Sequence, residues 1–300
     1  MRLDDEQESS NFEVQRGGSG FGGGGFGGGN LLGMLLPMVA SRFGCGGVAV
    51  LLVVMLVMGG GGGLGSLVGG LGGGGTNTAP HEQRAPADPA QLTDIQRISL
   101  KVLGSTERRW QEIFAANGSR YPAPTLVFYS QNGMSGCGAA QSAMGPFYCP
   151  ADRKIYIDTD FFRELETRMD APGDFPIGYV IAHEVGHHIQ TITGTSDKVR
   201  QAQQRVSQEE GNALQVKMEL QADCYAGVWA ARDQNLMEPG DLEEGLRAAH
   251  QIGDDTLMKA AGRRPVEAMF THGSAEQRMQ WLKRGLDSGD PAACDTFAGV

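Results

Sequence analysis

The segment YVIAHEVGHHIQ, residues 179–190, decides the fold that the rest of the chain must build around it. It contains His183, Glu184 and His187 in the spacing His-Glu-x-x-His, and a third histidine, His188, follows directly. On a helix these first three side chains share an arc of about 100°. Because His183 and His187 are one turn apart, both imidazoles can reach one ion. The segment therefore predicts a helix that carries a zinc site.

The same helix predicts which residue does the chemistry. Glu184 lies beside the position that a catalytic zinc leaves open, so it can take a proton from zinc-bound water and pass it to the leaving amine. His188 falls on the apolar side of the helix, and we expect it to be a packed or hydrogen-bonded histidine and not a ligand.

A catalytic zinc needs a third protein ligand. A third histidine six residues after His187 is excluded, because position 193 is a threonine. The segment KMELQADCYAGVWAA, residues 217–231, instead offers Glu219 and Asp223 one helical turn apart. We predict Glu219 as the third ligand and Asp223 as the acceptor of the outer N–H of a ligand histidine.

His272 precedes a capped helix start in THGSAEQR, residues 271–278. From this loop it could stabilise the oxyanion of a tetrahedral intermediate, as a second catalytic residue beside Glu184. A solvent-exposed loop histidine is the equal alternative.

The composition divides the chain into four parts. Residues 1–30 are predicted to be a disordered, polar and Gly-rich N-terminus, since most of the 46 glycines lie before residue 76. Residues 31–64 are apolar, residues 65–90 form a Gly/Pro/Ala-rich linker, and residues 91–300 form the metallopeptidase domain. The net charge of −10 argues against a nucleic-acid partner.

The apolar segment predicts membrane attachment. Residues 44–64 carry no charge and have the length of one transmembrane helix. A cleaved signal peptide and a buried core helix are the alternatives. Because Arg42 precedes the span, the N-terminus is predicted to be cytoplasmic and the domain extracytoplasmic. The expected location is the bacterial inner (cell) membrane, in single-pass form.

The domain itself is predicted to be α+β, with a helix-rich second half and a small sheet. Strands are expected within 123–130 and 153–159, with a loop or hairpin between them, and the first could be an edge strand that takes an extended peptide. Helices are expected at the ranges 91–116, 160–169, 176–193, 199–234, 241–251 and 274–288.

Several separated blocks together resemble a known family. The blocks are GPFYCPADRKIYIDTDFF, YVIAHEVGHHIQ, ELQADCYAGVWA, IGDD and THGSAEQR. In this order they resemble the bacterial neutral zinc metallopeptidases of the YpfJ type, over about residues 95–297. The resemblance implies a zincin fold, a zinc endopeptidase activity and a glutamate third ligand. It also supports a functional role for His272 and adds Arg278 to the candidate site residues.

The domain contains four cysteines, Cys137, Cys149, Cys224 and Cys294. Three pairings are possible, and sequence proximity favours Cys137–Cys149, which leaves Cys224–Cys294. Such bridges are expected if the domain is extracytoplasmic, whereas four reduced core cysteines are the alternative.

Two functions of different classes follow. The first is a membrane-anchored zinc peptidase that acts on a peptide or protein substrate, and the intact Glu184 favours it. The second is a membrane-tethered scaffold that keeps a zincin fold with little or no turnover. A zinc hydrolase of a non-peptide amide is a weaker third possibility.

Overall fold

The structure is a computed structural model that describes residues 1–15, 91–168, 171–233 and 235–298. The predicted transmembrane helix at 44–64, the linker at 65–90 and residues 16–30 of the predicted Gly-rich N-terminus lie outside these residues. Among the helices that are described, none is both long and apolar enough to cross a membrane.

A small mixed sheet forms one layer of the domain. Its strands are β1 (Phe12–Val14), β2 (Thr125–Tyr129), β5 (Phe147–Cys149) and β6 (Lys154–Asp158). Their order is β1-β2-β6-β5, with β5 antiparallel to the other three. Strands β3 (Asn132–Ser135) and β4 (Gly138–Gln141) form a separate antiparallel hairpin.

Eight α-helices make up the rest of the described domain, which confirms the helix-rich α+β class. They are α1 (Asp94–Ala116), α2 (Asp160–Arg168), α3 (Phe175–Ile192), α4 (Thr195–Gln203), α5 (Gln208–Arg232), α6 (Asp241–Gln251), α7 (Asp254–Ala260) and α8 (Ala275–Ser288).

The single helix predicted at 199–234 is wrong in one respect. The structure has two helices in this region, α4 and α5, and the helical conformation is interrupted between Gln203 and Gln208. Ser207 caps the start of α5, and Glu210 completes a reciprocal capping box with it. This pair is a local start signal for a new helix that the prediction overlooked. The capping box predicted at Ser274 and Gln277 is confirmed.

The disorder predicted for the N-terminus is wrong for residues 1–15. Phe12–Val14 form β1, and Met1, Leu3 and Ser9 are buried. The polar composition of this segment concealed its role, since its few apolar side chains enter a core that residues 91–298 supply.

The strand at 125–129 is not an edge strand. It pairs with β1 on one side and with β6 on the other, so its main-chain groups are already used. The edge beside the His-Glu-x-x-His helix is β5, where the Tyr148 hydroxyl hydrogen-bonds to His188 of α3 at 3.1 Å.

The cysteine pairing favoured by the sequence is confirmed. Cys137 bonds to Cys149, and Cys224 bonds to Cys294, with Cα–Cα distances of 5.8 and 5.5 Å. The first bridge joins the β3–β4 region to β5, and the second ties the C-terminal segment to α5.

Candidate metal centre

Helix α3 carries two of the three predicted ligands. Pro176 stands in its first turn, where a missing N–H costs nothing, and the apolar residues that follow bury the helix in the core. His183 and Glu184 are 7% and 6% exposed. The helix therefore presents its ligand face towards the protein interior and not towards bulk solvent.

Helix α5 crosses close to α3 at the ligands. A Cβ added to Gly186 would lie 2.9 Å from the Cα of Ala222, so the two backbones approach as closely as the small residues allow. The small residues Gly186 and Ala222 thus permit the crossing. It also places Glu219, one turn before Asp223 on α5, opposite the histidines.

Three side chains converge to form a candidate metal centre. The Glu219 carboxylate lies 3.2 Å from His183 Nε2 and 3.4 Å from His187 Nε2. One ligand atom from each of these three residues lies within 4.8 Å of the others. Two imidazole nitrogens and one carboxylate oxygen are a donor set that zinc takes in catalytic sites. The residues present therefore fit a zinc ion.

The outer nitrogens of both histidines are held by other side chains. His183 Nδ1 lies 2.8 Å from Asp223 Oδ1, and His187 Nδ1 lies 2.9 Å from Gln190 Oε1. When each Nδ1–H donates to these oxygens, each Nε2 is left free to bind a metal. The contact predicted for Asp223 is thus present.

Asp223 is itself fixed by three further hydrogen bonds. The Tyr179 hydroxyl donates to Oδ1 at 2.6 Å, and Arg278 donates to both carboxylate oxygens at 2.9 Å. Asp223 and Tyr179 are 0% exposed and Arg278 is 3% exposed. A buried carboxylate with this many partners holds the His183 ring in one orientation.

The electrostatics of the centre favour charged ligand groups. Burial lowers the pKa of His183, but the charge of Asp223 and the hydrogen bonds to Asp223 and Glu219 outweigh it and raise the pKa to about 10. Burial alone would raise the pKa of Glu219, yet the two imidazoles hold it well below its usual value. The ion pairs between the protonated imidazoles and Glu219 draw the three ligand side chains together. A metal cation that binds here would displace the imidazole protons into solvent.

Glu184 differs from Glu219 in its hydrogen bonding. Its Oε2 atom is buried and accepts no hydrogen bond from the described residues. Burial raises the pKa of Glu184, against the opposing charges of His187 and His183. A carboxylate of this kind, beside a metal centre, suits a group that accepts and returns a proton.

His272 lies at the rim of the site. Its imidazole is 52% exposed, and Nδ1 lies 3.2 Å from Asp254 Oδ1. The other oxygen of Asp254 accepts the backbone N–H groups of Thr271, His272 and Gly273 at 2.7, 2.7 and 3.1 Å. The hydrogen bond to Asp254 raises the pKa of His272, and the charge of Glu219 adds to the effect.

A second cluster consists of three acidic residues, Asp174, Asp241 and Glu244, with one carboxylate oxygen of each within 4.8 Å of the others. Its neighbour is the Met1 ammonium, which lies 2.7 Å from Asp174 and 3.4 Å from Asp241. Two of the three carboxylates are therefore already paired with a cation, and the cluster contains no histidine.

With this geometry in place, comparison with known proteins identifies the family. The sequence profile of the family described as "Putative neutral zinc metallopeptidase" matches residues 1–297. The chain belongs to this family.

Curated relatives match more than half of the chain in sequence. The uncharacterized protein YpfJ of Escherichia coli (strain K12) is 44% identical over 299 residues, 99% of each chain. The uncharacterized protein Rv2575 of Mycobacterium tuberculosis is 40% identical over 193 residues, 60% of this chain and 64% of the relative. No solved structure matches.

Three supporting residues of the site were missed in the sequence. Tyr179 stands one turn before His183 and Gln190 one turn after His187, so helical spacing alone could have marked both. Asp254 stands in the IGDD block that contributes to the family resemblance, but nothing local connects it to His272. The structure also explains His188, whose Nε2–H donates to the Pro122 carbonyl at 2.6 Å while Nδ1 faces the Tyr148 hydroxyl.

Proposed function

We propose that the protein is a zinc-dependent endopeptidase whose ligands are His183, His187 and Glu219. The observation that carries the proposal is the convergence of these three side chains beside a buried Glu184, whose Oε2 accepts no hydrogen bond from the described residues. Membership of the zinc metallopeptidase family supports the same reaction class.

Zinc, when bound here, supplies a Lewis acid that lowers the pKa of water and polarises a substrate carbonyl. The protein residues supply positioning and proton transfer. Asp223 and Gln190 keep the Nε2 atoms of His183 and His187 directed at one point, because each fixes the opposite ring nitrogen.

Glu184 is the proposed general base and acid. It follows His183 directly on α3, and its raised pKa brings it closer to neutral pH than an exposed glutamate. Glu184 takes a proton from the attacking water and returns it to the nitrogen of the leaving amine as the peptide bond breaks.

His272 and Arg278 are proposed to stabilise negative charge at the site. His272, held by Asp254 and exposed on the site's rim, can donate to the oxyanion that develops on the carbonyl oxygen. Arg278 acts at a distance from the reacting atoms, since its guanidinium is engaged with Asp223.

The proposed substrate is an extended peptide segment. Strand β5 is an edge of the described sheet, and its Tyr148 contacts His188 on the helix that carries the metal ligands. A peptide that pairs with the free edge of β5 would run alongside α3, where main-chain hydrogen bonds can position a scissile bond with little demand on side-chain identity.

Attachment to the bacterial cell membrane through residues 31–64 is also part of the proposal, with the catalytic domain extracytoplasmic. The apolar composition of that segment supports attachment. The two disulfides support the compartment, since such bridges persist in oxidising surroundings.

The proposal is tested with the full-length protein loaded with zinc and an unbiased peptide library analysed by mass spectrometry. Glu184→Gln should lower cleavage by roughly 10²–10⁴-fold while zinc content and fold are retained. Glu166→Gln, at an exposed position on α2, is the matched control and should cleave like the wild type.

The scaffold alternative makes the opposite prediction. If the zinc-loaded wild type cleaves no peptide in the library and Glu184→Gln is indistinguishable from it, the peptidase proposal fails. Zinc binding by both proteins would then favour a zincin-fold scaffold.

A further inference from the structure

We infer that residues 1–15 and the catalytic domain lie on the same side of the membrane to which the chain is proposed to be attached. The inference rests on the proposed membrane attachment but not on the proposed peptidase activity. It replaces the single crossing predicted from Arg42, which would put the N-terminus in the cytoplasm and the domain outside.

The first evidence is the main-chain pairing of the N-terminal segment. Strand β1 runs parallel to β2, with Phe12, Glu13 and Val14 opposite Leu126, Val127 and Phe128. Leu126 N–H donates to the Asn11 carbonyl at 2.9 Å, and Gln15 N–H donates to the Phe128 carbonyl at 2.8 Å. Phe12–Val14, with hydrogen bonds from the flanking Asn11 and Gln15, therefore form a strand of the domain's own sheet.

Side chains extend this attachment beyond the neighbouring strand. Glu13 accepts from Lys154 Nζ at 2.6 Å, which links β1 to β6 across β2. Ser9 and Asn11 both donate to Glu107 of α1, at 2.8 and 2.9 Å. These contacts are specific in charge and geometry, and they join the segment to two elements besides β2.

The start of the segment is buried against the catalytic core. Met1 is 8% exposed, and its side chain lies so close to Gly178 that a Cβ there would meet the Met1 sulfur at 3.1 Å. Gly178 is on α3, the helix that carries His183. Leu3 is 7% exposed, and Arg2 N–H donates to the Leu236 carbonyl at 2.8 Å.

This packing is incompatible with a bilayer between the two parts. Paired strands are about 4.8 Å apart, whereas the hydrocarbon core of a membrane is about 30 Å thick. Once β1 pairs with β2, residues 15 and 91 must emerge on the same face. Residues 1–15 and 91–298 therefore belong to one side of the membrane.

The two disulfides indicate which face this is. Cys137–Cys149 and Cys224–Cys294 belong to the same domain as β1, and bridges of this kind favour the extracytoplasmic side. Residues 1–15 carry one basic side chain, Arg2, against five acidic ones, so little positive charge opposes their translocation.

The inference is tested by labelling single cysteines in the full-length protein in intact bacterial cells. Cys45→Ala provides the background, and Asp5→Cys or Asp287→Cys adds one exposed thiol to the N-terminal segment or to α8. A membrane-impermeant charged maleimide is applied before and after the inner membrane is permeabilised. Both thiols should react equally well before permeabilisation.

Labelling of the thiol at 287 before permeabilisation, with the thiol at 5 reacting only afterwards, would overturn the inference. Reaction of both thiols only after permeabilisation would support a common side but overturn the extracytoplasmic assignment. Neither readout depends on zinc or on catalysis. The result therefore tests the location of residues 1–15 independently of the proposed peptidase activity.

A charge swap tests the docking itself. Glu13→Lys should lower the midpoint of urea unfolding, because it sets two ammonium groups against each other at Lys154. Adding Lys154→Glu should recover most of that loss by restoring an ion pair. An unchanged midpoint in Glu13→Lys would show that β1 is not docked, and the inference would fall.

Discussion

At the scale of single residues, Asp223 connects the candidate metal centre to the rest of the core. It accepts from His183 on one side and from Arg278 and Tyr179 on the other. Its neighbours hold its pKa at about 2 although burial alone would raise it. The orientation of His183 and the charge balance of the core therefore depend on the same carboxylate.

Asp223→Asn should weaken zinc binding by roughly 10–100-fold, because the amide cannot neutralise Arg278 or accept equally well from His183. The free energy of unfolding should also fall, by about 3–5 kcal/mol, since a buried guanidinium loses its charge partner. Chelator competition and urea unfolding measure the two effects. Glu276→Gln, an exposed change on α8, is the control, and equal zinc affinity in the two variants would contradict the role given to Asp223.

His188 and His187 are adjacent, yet the structure gives them different tasks. His188→Gln should leave one zinc per chain and lower the free energy of unfolding by about 1–3 kcal/mol, because the Pro122 carbonyl and Tyr148 hydroxyl lose well-placed partners. His187→Gln should instead abolish stoichiometric zinc. Metal analysis of the two purified variants checks this, and loss of zinc in His188→Gln would show that its role is misassigned.

At the scale of elements, the α5–α8 contact sets how tightly the second half of the domain packs. Gly227 of α5 lies directly against the Leu282 carbonyl of α8, and Gly285 of α8 lies directly against the Cys224 carbonyl. A side chain at either position has no space, since what it would meet is backbone. This contact holds Arg278 of α8 against Asp223 of α5.

Gly227→Ala should therefore lower the free energy of unfolding by about 1–3 kcal/mol or more through overpacking. Gly211→Ala, on the same helix, is the matched control. Its added methyl would lie 4.0 Å from the Gln203 side chain, and better helix propensity should raise stability by up to about 1 kcal/mol. Thermal unfolding of the two variants should show shifts of opposite sign, and a stabilised Gly227→Ala would contradict the packing.

At the scale of the whole molecule, long-range links bind the ends of the chain to its centre. Cys224–Cys294 closes a loop with a sequence separation of 70 residues, and β1 pairs with a strand more than 100 positions away. The core around the candidate metal centre thus includes both an N-terminal strand and a C-terminal tether. Neither could be removed without exposing apolar surface.

Replacing both Cys224 and Cys294 by Ala should lower the free energy of unfolding by about 4 kcal/mol, from the entropy of the opened loop in the unfolded state. The pair Cys137→Ala and Cys149→Ala, with a separation of 12, should cost less, about 3 kcal/mol. Urea unfolding under non-reducing conditions compares them. A smaller loss for the long loop than for the short one would contradict this order.

The sequence by itself determined the local features of this protein. His183, Glu184 and His187 share one helical face because of their spacing, and Glu219 and Asp223 share another for the same reason. The α+β class and the helix at 175–192 also follow from short-range periodicity. These features depend on contacts within one or two turns, where sequence distance and spatial distance are nearly the same.

Only the tertiary structure decided which of these faces meet and what else joins them. The Gly186–Ala222 crossing brings Glu219 to the histidines, Arg278 reaches Asp223 from a third helix, and Asp254 holds the loop of His272. The N-terminal strand is the clearest case, since its polar residues have no periodicity that marks a partner at Leu126. Its pairing becomes favourable only when the folded domain offers the open edge of β2. Patterns of neighbouring residues cannot predict a contact between positions so far apart in the sequence.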